Sequence, residues 1–475
     1  MAPAPAYTTI VNEVSIKKGG RLRPLVRFSL AWHGLMGGSR PLPPTPPAEP
    51  CSTHLETALS RLVFTLAIGV SLAAPGLARA DAPAPLSREG GLLPEGARNW
   101  SHVCSLRHRL CVRAAPETPP TLQLATVAAA DRAWDVLTGV LGVPAPEGPF
   151  GDPWEIYLLD NVEGGERSLP GPPDPVSRFD RAASFALVDR ATTPGCSLDL
   201  ALARAVARGS LWRAAPATAE GSSVAQEEAL ARIATPCLAP GDDDLLAFQS
   251  QPERCVVDAP SNSFDRGASR FFDWVDARFG ARPGLLLLGT WALAPTQTPP
   301  HAWQWAGSPT GFDVLRVSLK GALWPNSSFD DILVQFAVAR ASMSPPPRIA
   351  WRLPWPKVAR RIAAPEPVAP TGASYVLIDH GSAPAGARLR LEAEWEDFGR
   401  MRWVVAKLDA SGRALAEIPI VSLDRGTHAS MTIDGLDGVD RVLVVAENVG
   451  STDHAFDPHQ GEWEPHGWLL TLEGQ

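Results

Sequence analysis

The sequence predicts an α+β domain over residues 81–343, followed by an all-β antiparallel sandwich over residues 371–475. Three observations carry that prediction. Residues 344–370 hold eight prolines in 27 positions with no helical or strand period, so they read as a linker. After them, apolar residues alternate with polar ones in seven short runs. Before them, strand-like runs come first and helical ones afterwards, the order of an α+β domain.

The first 80 residues stand apart. Residues 62–74, LVFTLAIGVSLAA, are uncharged, follow Arg61 and precede Ala78-Arg79-Ala80, an A-x-A cleavage pattern, so 62–80 reads as a signal peptide core. A run of 13 is short of the ~20 residues a membrane span needs, and a membrane anchor is the minor alternative. The 60 residues before it have no apolar period and are expected to be disordered, the position suggesting an over-extended start. A periplasmic or secreted mature chain beginning at Asp81 is expected. It would carry a net charge of −13. That charge excludes a generally basic nucleic-acid binder. The 38 Arg against 5 Lys mark G+C-rich coding rather than a basic surface.

In the α+β region, residues 99–114 read as a hairpin, 121–142 as a helix ending at Gly142, and 153–160 and 183–189 as strands. A helix at 198–212, with Ser197 able to cap it, carries Leu198, Leu202, Ala205, Gly209 and Trp212 on one face. The next starts at a Ser223-x-x-Gln226 capping box and stops before Pro236, and a third spans 265–280 with Phe271, Val275 and Phe279 aligned. In the sandwich, strands are expected at 374–380, 387–395, 402–409, 414–421, 428–434, 441–447 and 468–473.

Of the five cysteines beyond the leader, Cys104 is expected to pair with Cys111 across the hairpin and Cys196 with Cys237, leaving Cys255 free; Cys237 with Cys255 is the next candidate. Their spacings match no zinc ribbon or finger.

This order of elements resembles secreted bacterial metallopeptidases of the zincin type. In those, a hairpin, a long helix and a strand precede a helix bearing H-E-x-x-H, and a later helix supplies an acidic third ligand. The resemblance covers residues 99–343, but the motif itself is absent. The segment LARAVARGSLW (202–212) superposes on L-A-H-E-V-A-H-G-S-L-W. Arg204 and Arg208 then stand for the two imidazoles at i and i+4 that would hold zinc, and Ala205 for the glutamate that would activate water. The third ligand matches Glu227 or Glu228. A register shifted by four would place Arg208, Gly209 and Trp212 there instead. The resemblance implies a protein without catalytic residues, its old cleft closed by Arg204 or Arg208 pairing with Glu227 or Glu228. The competing reading is an amphipathic helix with two solvated arginines.

Other chemistry is sparse. His454, His459 and His466 gather with four carboxylates in 453–466, the one dense supply of metal ligands, but Pro458, Gly461, Pro465 and Gly467 mark a surface loop. No G-x-S-x-G, G-x-G-x-x-G or P-loop occurs, so no cofactor is expected, and zinc enters only under an active-peptidase reading. Trp303 and Trp305 beside Pro299 and Pro300 would suit a sugar or peptide groove. The partners these features allow are a protein, a peptide or a glycan. The leading function is an exported, inactive metallopeptidase-like protein with a binding or structural role. The alternatives are an active zinc hydrolase with unconventional ligands, and a sandwich that binds glycan or protein on a scaffold domain.

Overall fold

The structure is a computed structural model that describes residues 93–94, 96–173, 181–214, 223–239, 243–256, 263–280, 282–284, 315–316, 319, 328–397, 399–420, 426–450 and 464–475. All of them belong to one compact unit, Arg79–Gln475. The leader 1–80, Trp303, Trp305, His454 and His459 lie outside the described residues. Among the described residues there are three β-sheets and six helices, a mixed α and β chain.

The first sheet has the order β1-β2-β3-β5-β4. Strands β1 (Ser101–Cys104) and β2 (Leu110–Ala114) form the expected hairpin, with Cys104 directly opposite Cys111 and disulfide-bonded to it. Helix α1 (Pro120–Trp134) continues through a π-turn to Val140, and Gly142 takes the left-handed conformation that ends it. Strands β3 (Trp154–Leu159) and β5 (Ala182–Asp189) add parallel to β2, and their near-continuous apolar runs suit burial on both faces. Strand β4 (Glu166–Pro173) lies antiparallel to β5 at the edge. Its sequence, ERSLPGPP, hides it from pattern reading, because prolines are tolerated in a sheet only where no neighbour needs their N–H.

Helices α2 (Cys196–Ala214), α3 (Ser223–Ala234), α4 (Asp244–Ser250), α5 (Ser263–Phe279) and α6 (Phe329–Ala341) complete this half. Helix α2 is buried on nearly every side, with Leu198, Leu202, Ala205, Val206 and Leu211 all within the core. It begins one residue before Ser197, which sits inside the first turn rather than capping it. Gly209 is needed for packing: a Cβ there would stand 3.0 Å from Pro146 and 3.2 Å from the Trp154 ring. Helix α6 starts at a full capping box, Ser328 accepting from the Asp331 N–H and Asp331 from the Ser328 N–H.

The supposed linker is structured, which corrects the expectation. Within it, β6 (Trp351–Pro354) and β7 (Arg360–Ala363) form edge strands, one in each sandwich sheet. Pro354 ends β6 on an edge strand and β7 holds no proline, so the prolines of the segment interrupt no central ladder. All seven expected sandwich strands are present as β8 (Ala373–Asp379), β9 (Leu389–Trp395), β10 (Met401–Leu408), β11 (Ala414–Ile420), β12 (His428–Ile433), β13 (Arg441–Asn448) and β14 (Trp468–Gly474). They form sheets of order β11-β10-β13-β8-β6 and β12-β9-β14-β7, antiparallel except for β6 along β8. Trp395, Trp403 and Trp468 fill the core between them, with ring centroids 6.4 and 5.6 Å apart. The outer face of the first sheet is also covered. Tyr375, Val404, Ala406, Leu443 and Val445 pack there against Ala337 and Val338 of α6. That second contact explains why β13 is buried along both faces.

Candidate functional site

On α2 the four-residue spacing puts Arg204 and Arg208 on one face, one turn apart. That face meets α3. Arg204 donates through Nε to Glu228 Oε2 at 2.5 Å and through Nη2 to Glu228 Oε1 at 3.0 Å, a two-pronged guanidinium–carboxylate pair. Its Nη2 also reaches Asp244 Oδ2 on α4 at 3.1 Å. Arg208 pairs with Glu227 and lies over the Trp212 ring, 5.1 Å from its centroid. Arg232, four residues after Glu228 on α3, adds a 2.7 Å contact to Glu228 Oε1. Side chains are 14% exposed for Arg204, 20% for Arg208 and 1% for Glu228, so the reading of two solvated arginines is overturned.

The network extends to the sheet edge. Glu166, the first residue of β4, receives Arg266 Nη2 of α5 at 2.9 Å. Burial pushes the Glu166 carboxyl up to about 7; Arg266 and Arg204 oppose the rise, and Glu227 and Glu228 reinforce it. Asp273 of α5 is raised to about 6 by burial, against the pull of Arg270 and Arg232. For Arg204, burial works against the charge, but the hydrogen bonds and charge of Glu228, with Glu166 and Asp244, outweigh it and raise the pKa.

These residues do not fit zinc. A guanidinium stays protonated and offers donors only, so Arg204 and Arg208 cannot ligate a dication, and they occupy carboxylate oxygens that might. Ala205, where the resemblance sets the catalytic glutamate, is fully buried and brings no polar group. The shifted register fares no better: Gly209 is wedged against Pro146 and Trp154, and Trp212 turns its Nε1 towards Ser168 O at 3.4 Å. Among the described residues no three His, Cys, Asp or Glu side chains are grouped to hold a metal. His466 sits in a β-bridge opposite Val368, its Nδ1 3.4 Å from Glu396.

The expected bond between Cys196 and Cys237 is not formed; both are free thiols, and Cys237 Sγ points instead at the Cys196 carbonyl, 3.6 Å away. Cys255 is outside any disulfide and buried against Thr371 Oγ1 at 3.2 Å. Sequence reasoning missed Asp244, Arg232, Glu166 and Arg266, which reach the network from α4, α3, β4 and α5. The signal for Arg232 was available, since it stands at i+4 from Glu228.

No family model matches the chain, and no curated protein is similar to it. Among solved structures it is similar to the pre-peptidase C-terminal domain of collagenase from Bacillus anthracis, with 8% identity over 27% of this chain and 97% of that one, at a TM-score of 0.17. It is also similar to the enzymatically active domain of tailspike protein 4 of bacteriophage CBA120, with 11% identity over 25% of this chain and 18% of that one, at a TM-score of 0.16. Both likenesses are confined to about a quarter of the chain. No described helix is long and apolar enough to cross a membrane.

Proposed function

We propose that this chain is an exported, catalytically inactive relative of zincin-type metallopeptidases, acting through binding or structure in the cell envelope or outside the cell. The observation that carries the reading is the double pairing of Arg204 with Glu228 and Arg208 with Glu227. Two arginines stand at the spacing of the missing histidines, and they meet the two glutamates that the resemblance sets as the acidic third ligand. The element order around them is hairpin, α1, β3, β4, β5, α2 and α3, and the reading draws support from a hairpin, a long helix and strands preceding α2. Export rests on the apolar run at 62–74 and on Ala78-Arg79-Ala80.

Reversion tests the ancestry. The triple variant Arg204→His, Ala205→Glu, Arg208→His should bind one zinc ion per chain, read by metal analysis, because Glu227 and Glu228 are already in place. A folded triple variant without zinc would remove this register. Inactivity is tested on the unaltered chain: chelator-sensitive cleavage of a general protein substrate, together with stoichiometric zinc, would replace the proposal with an active enzyme. Terminal sequencing of the exported protein should start at Asp81.

A further inference from the structure

Cys196 opens α2 and is exposed, while Cys237 follows α3 and is partly buried. Although 41 residues apart, they adjoin: Cys237 Sγ is 3.6 Å from the Cys196 carbonyl oxygen. The Cys196 thiol donates a hydrogen bond to Cys237, and this bond, with some desolvation, raises the Cys196 pKa. Thr235 Oγ1, 3.2 Å from Cys237 Sγ, holds that thiol towards α2. Cys255 takes no part, being buried against Thr371.

We infer that Cys196 and Cys237 form a redox-responsive dithiol that small or protein disulfides oxidise to a bond clamping α2 to α3. The segment between them carries Arg204, Arg208, Glu227, Glu228 and Arg232, so the bond would cross-link the ends of the two helices that the ion network joins in the middle. The inference rests on the thiols alone and stands whether or not the helix pair descends from a peptidase.

The chemistry is thiol–disulfide exchange. The exposed Cys196, as thiolate, attacks one sulfur of the incoming disulfide, forming a mixed disulfide and expelling the first thiolate. Cys237 then gives up its proton and attacks Cys196 Sγ. The new Cys196–Cys237 bond forms as the mixed bond breaks and the second thiolate leaves. The protein dithiol is oxidised by two electrons and the incoming disulfide reduced by two, and the two protons end on the two released thiols.

Oxidised glutathione is the probe, applied to the purified mature chain. Intact mass should fall by two hydrogens with no glutathione retained, and peptide mapping should link Cys196 to Cys237. Tm should rise by roughly 5 °C, because the closed loop restricts the unfolded chain. The Cys237→Ser variant should instead stop at a glutathione adduct on Cys196, and Cys196→Ser should show no loss of hydrogens. A stable glutathione adduct on the unaltered chain, linkage of either thiol to Cys255, or a linked species with unchanged Tm would each overturn the inference.

Discussion

Two buried charge sites in this molecule solve the same problem in opposite ways. At the α2–α3 contact every guanidinium named above meets a carboxylate, and burial is compensated by pairing. At the contact of α6 with the sandwich, Arg340 is 1% exposed yet spends its donors elsewhere: Nε on Gln249 Oε1 at 2.9 Å, and its other nitrogens on the carbonyls of Phe248 and Pro252. Its guanidinium also lies 3.6 Å over the Phe248 ring. Glu447, buried on β13, is left with Oε2 lacking a hydrogen-bond partner among the described residues. Burial lowers the Arg340 pKa to about 10 and raises that of Glu447 well above its ordinary value, only partly countered by Arg340. A buried acid stays ionised where hydrogen-bonded cations replace its water, and turns neutral where they do not.

Removing one partner of the paired site has the largest expected effect. Glu228→Ala should lower unfolding stability by about 3 kcal/mol, measured by urea denaturation, since it takes the two-pronged carboxylate from Arg204 and an ion-pair partner from Arg232 and leaves Asp244 facing both. A loss below ~1 kcal/mol would place the network energetically at the surface. At the second site the expected sign is reversed. Unfolded Glu447 ionises near 4.5 while the folded carboxyl keeps its proton, so its contribution to stability falls as pH rises above that value. Glu447→Gln cannot ionise, and its stability relative to the unaltered chain should therefore increase from pH 5 to pH 8. An equal difference at both would show that Glu447 is charged in the folded state.

Glu166 tests the boundary between the two regimes, being paired yet raised to about 7. Its stabilising contribution is complete below about 4.5 and is lost as pH rises to 7, amounting to about 3 kcal/mol. Glu166→Gln should erase that slope in denaturation curves taken across the window, and an unchanged slope would assign it to other groups. The smallest effect expected is at the hairpin. Cys104→Ser opens a loop of few residues and should cost about 2 kcal/mol, read as a lower urea midpoint.

Legibility in the sequence followed the range of the interactions. The seven sandwich strands could be read because one inward face imposes alternation, even where α6 later buries the outer face of β8, β10 and β13 as well. Strands β4 and β6 could not, because their edge positions admit proline, and β7, four residues long, is too short to show a period. Helix α6, FDDILVQFAVARA, escaped because it is apolar on both faces, one towards Phe248 and Phe271 and the other towards Tyr375. At the site, Arg204, Arg208, Glu227 and Glu228 were visible through helical spacing on neighbouring helices. Asp244, Glu166 and Arg266 come from elements whose approach only tertiary packing determines. The Cys104–Cys111 bond was legible across one hairpin, whereas the state of Cys196 and Cys237 depends on the redox chemistry around the protein.

One arrangement in the sandwich bears on how the chain is made. Strand β14 is not an edge: it lies between β9 and β7, completing ladders with both. A ribosome delivers residues 360–363 about a hundred residues before their partner at 469–472. Until then β7 has no strand to pair with, Trp403 lacks the Trp468 ring against it and Trp395 lacks its ladder partner. Half of the sandwich is therefore assembled only after nearly the whole of it has been translated, which leaves an apolar surface open through the latter part of synthesis.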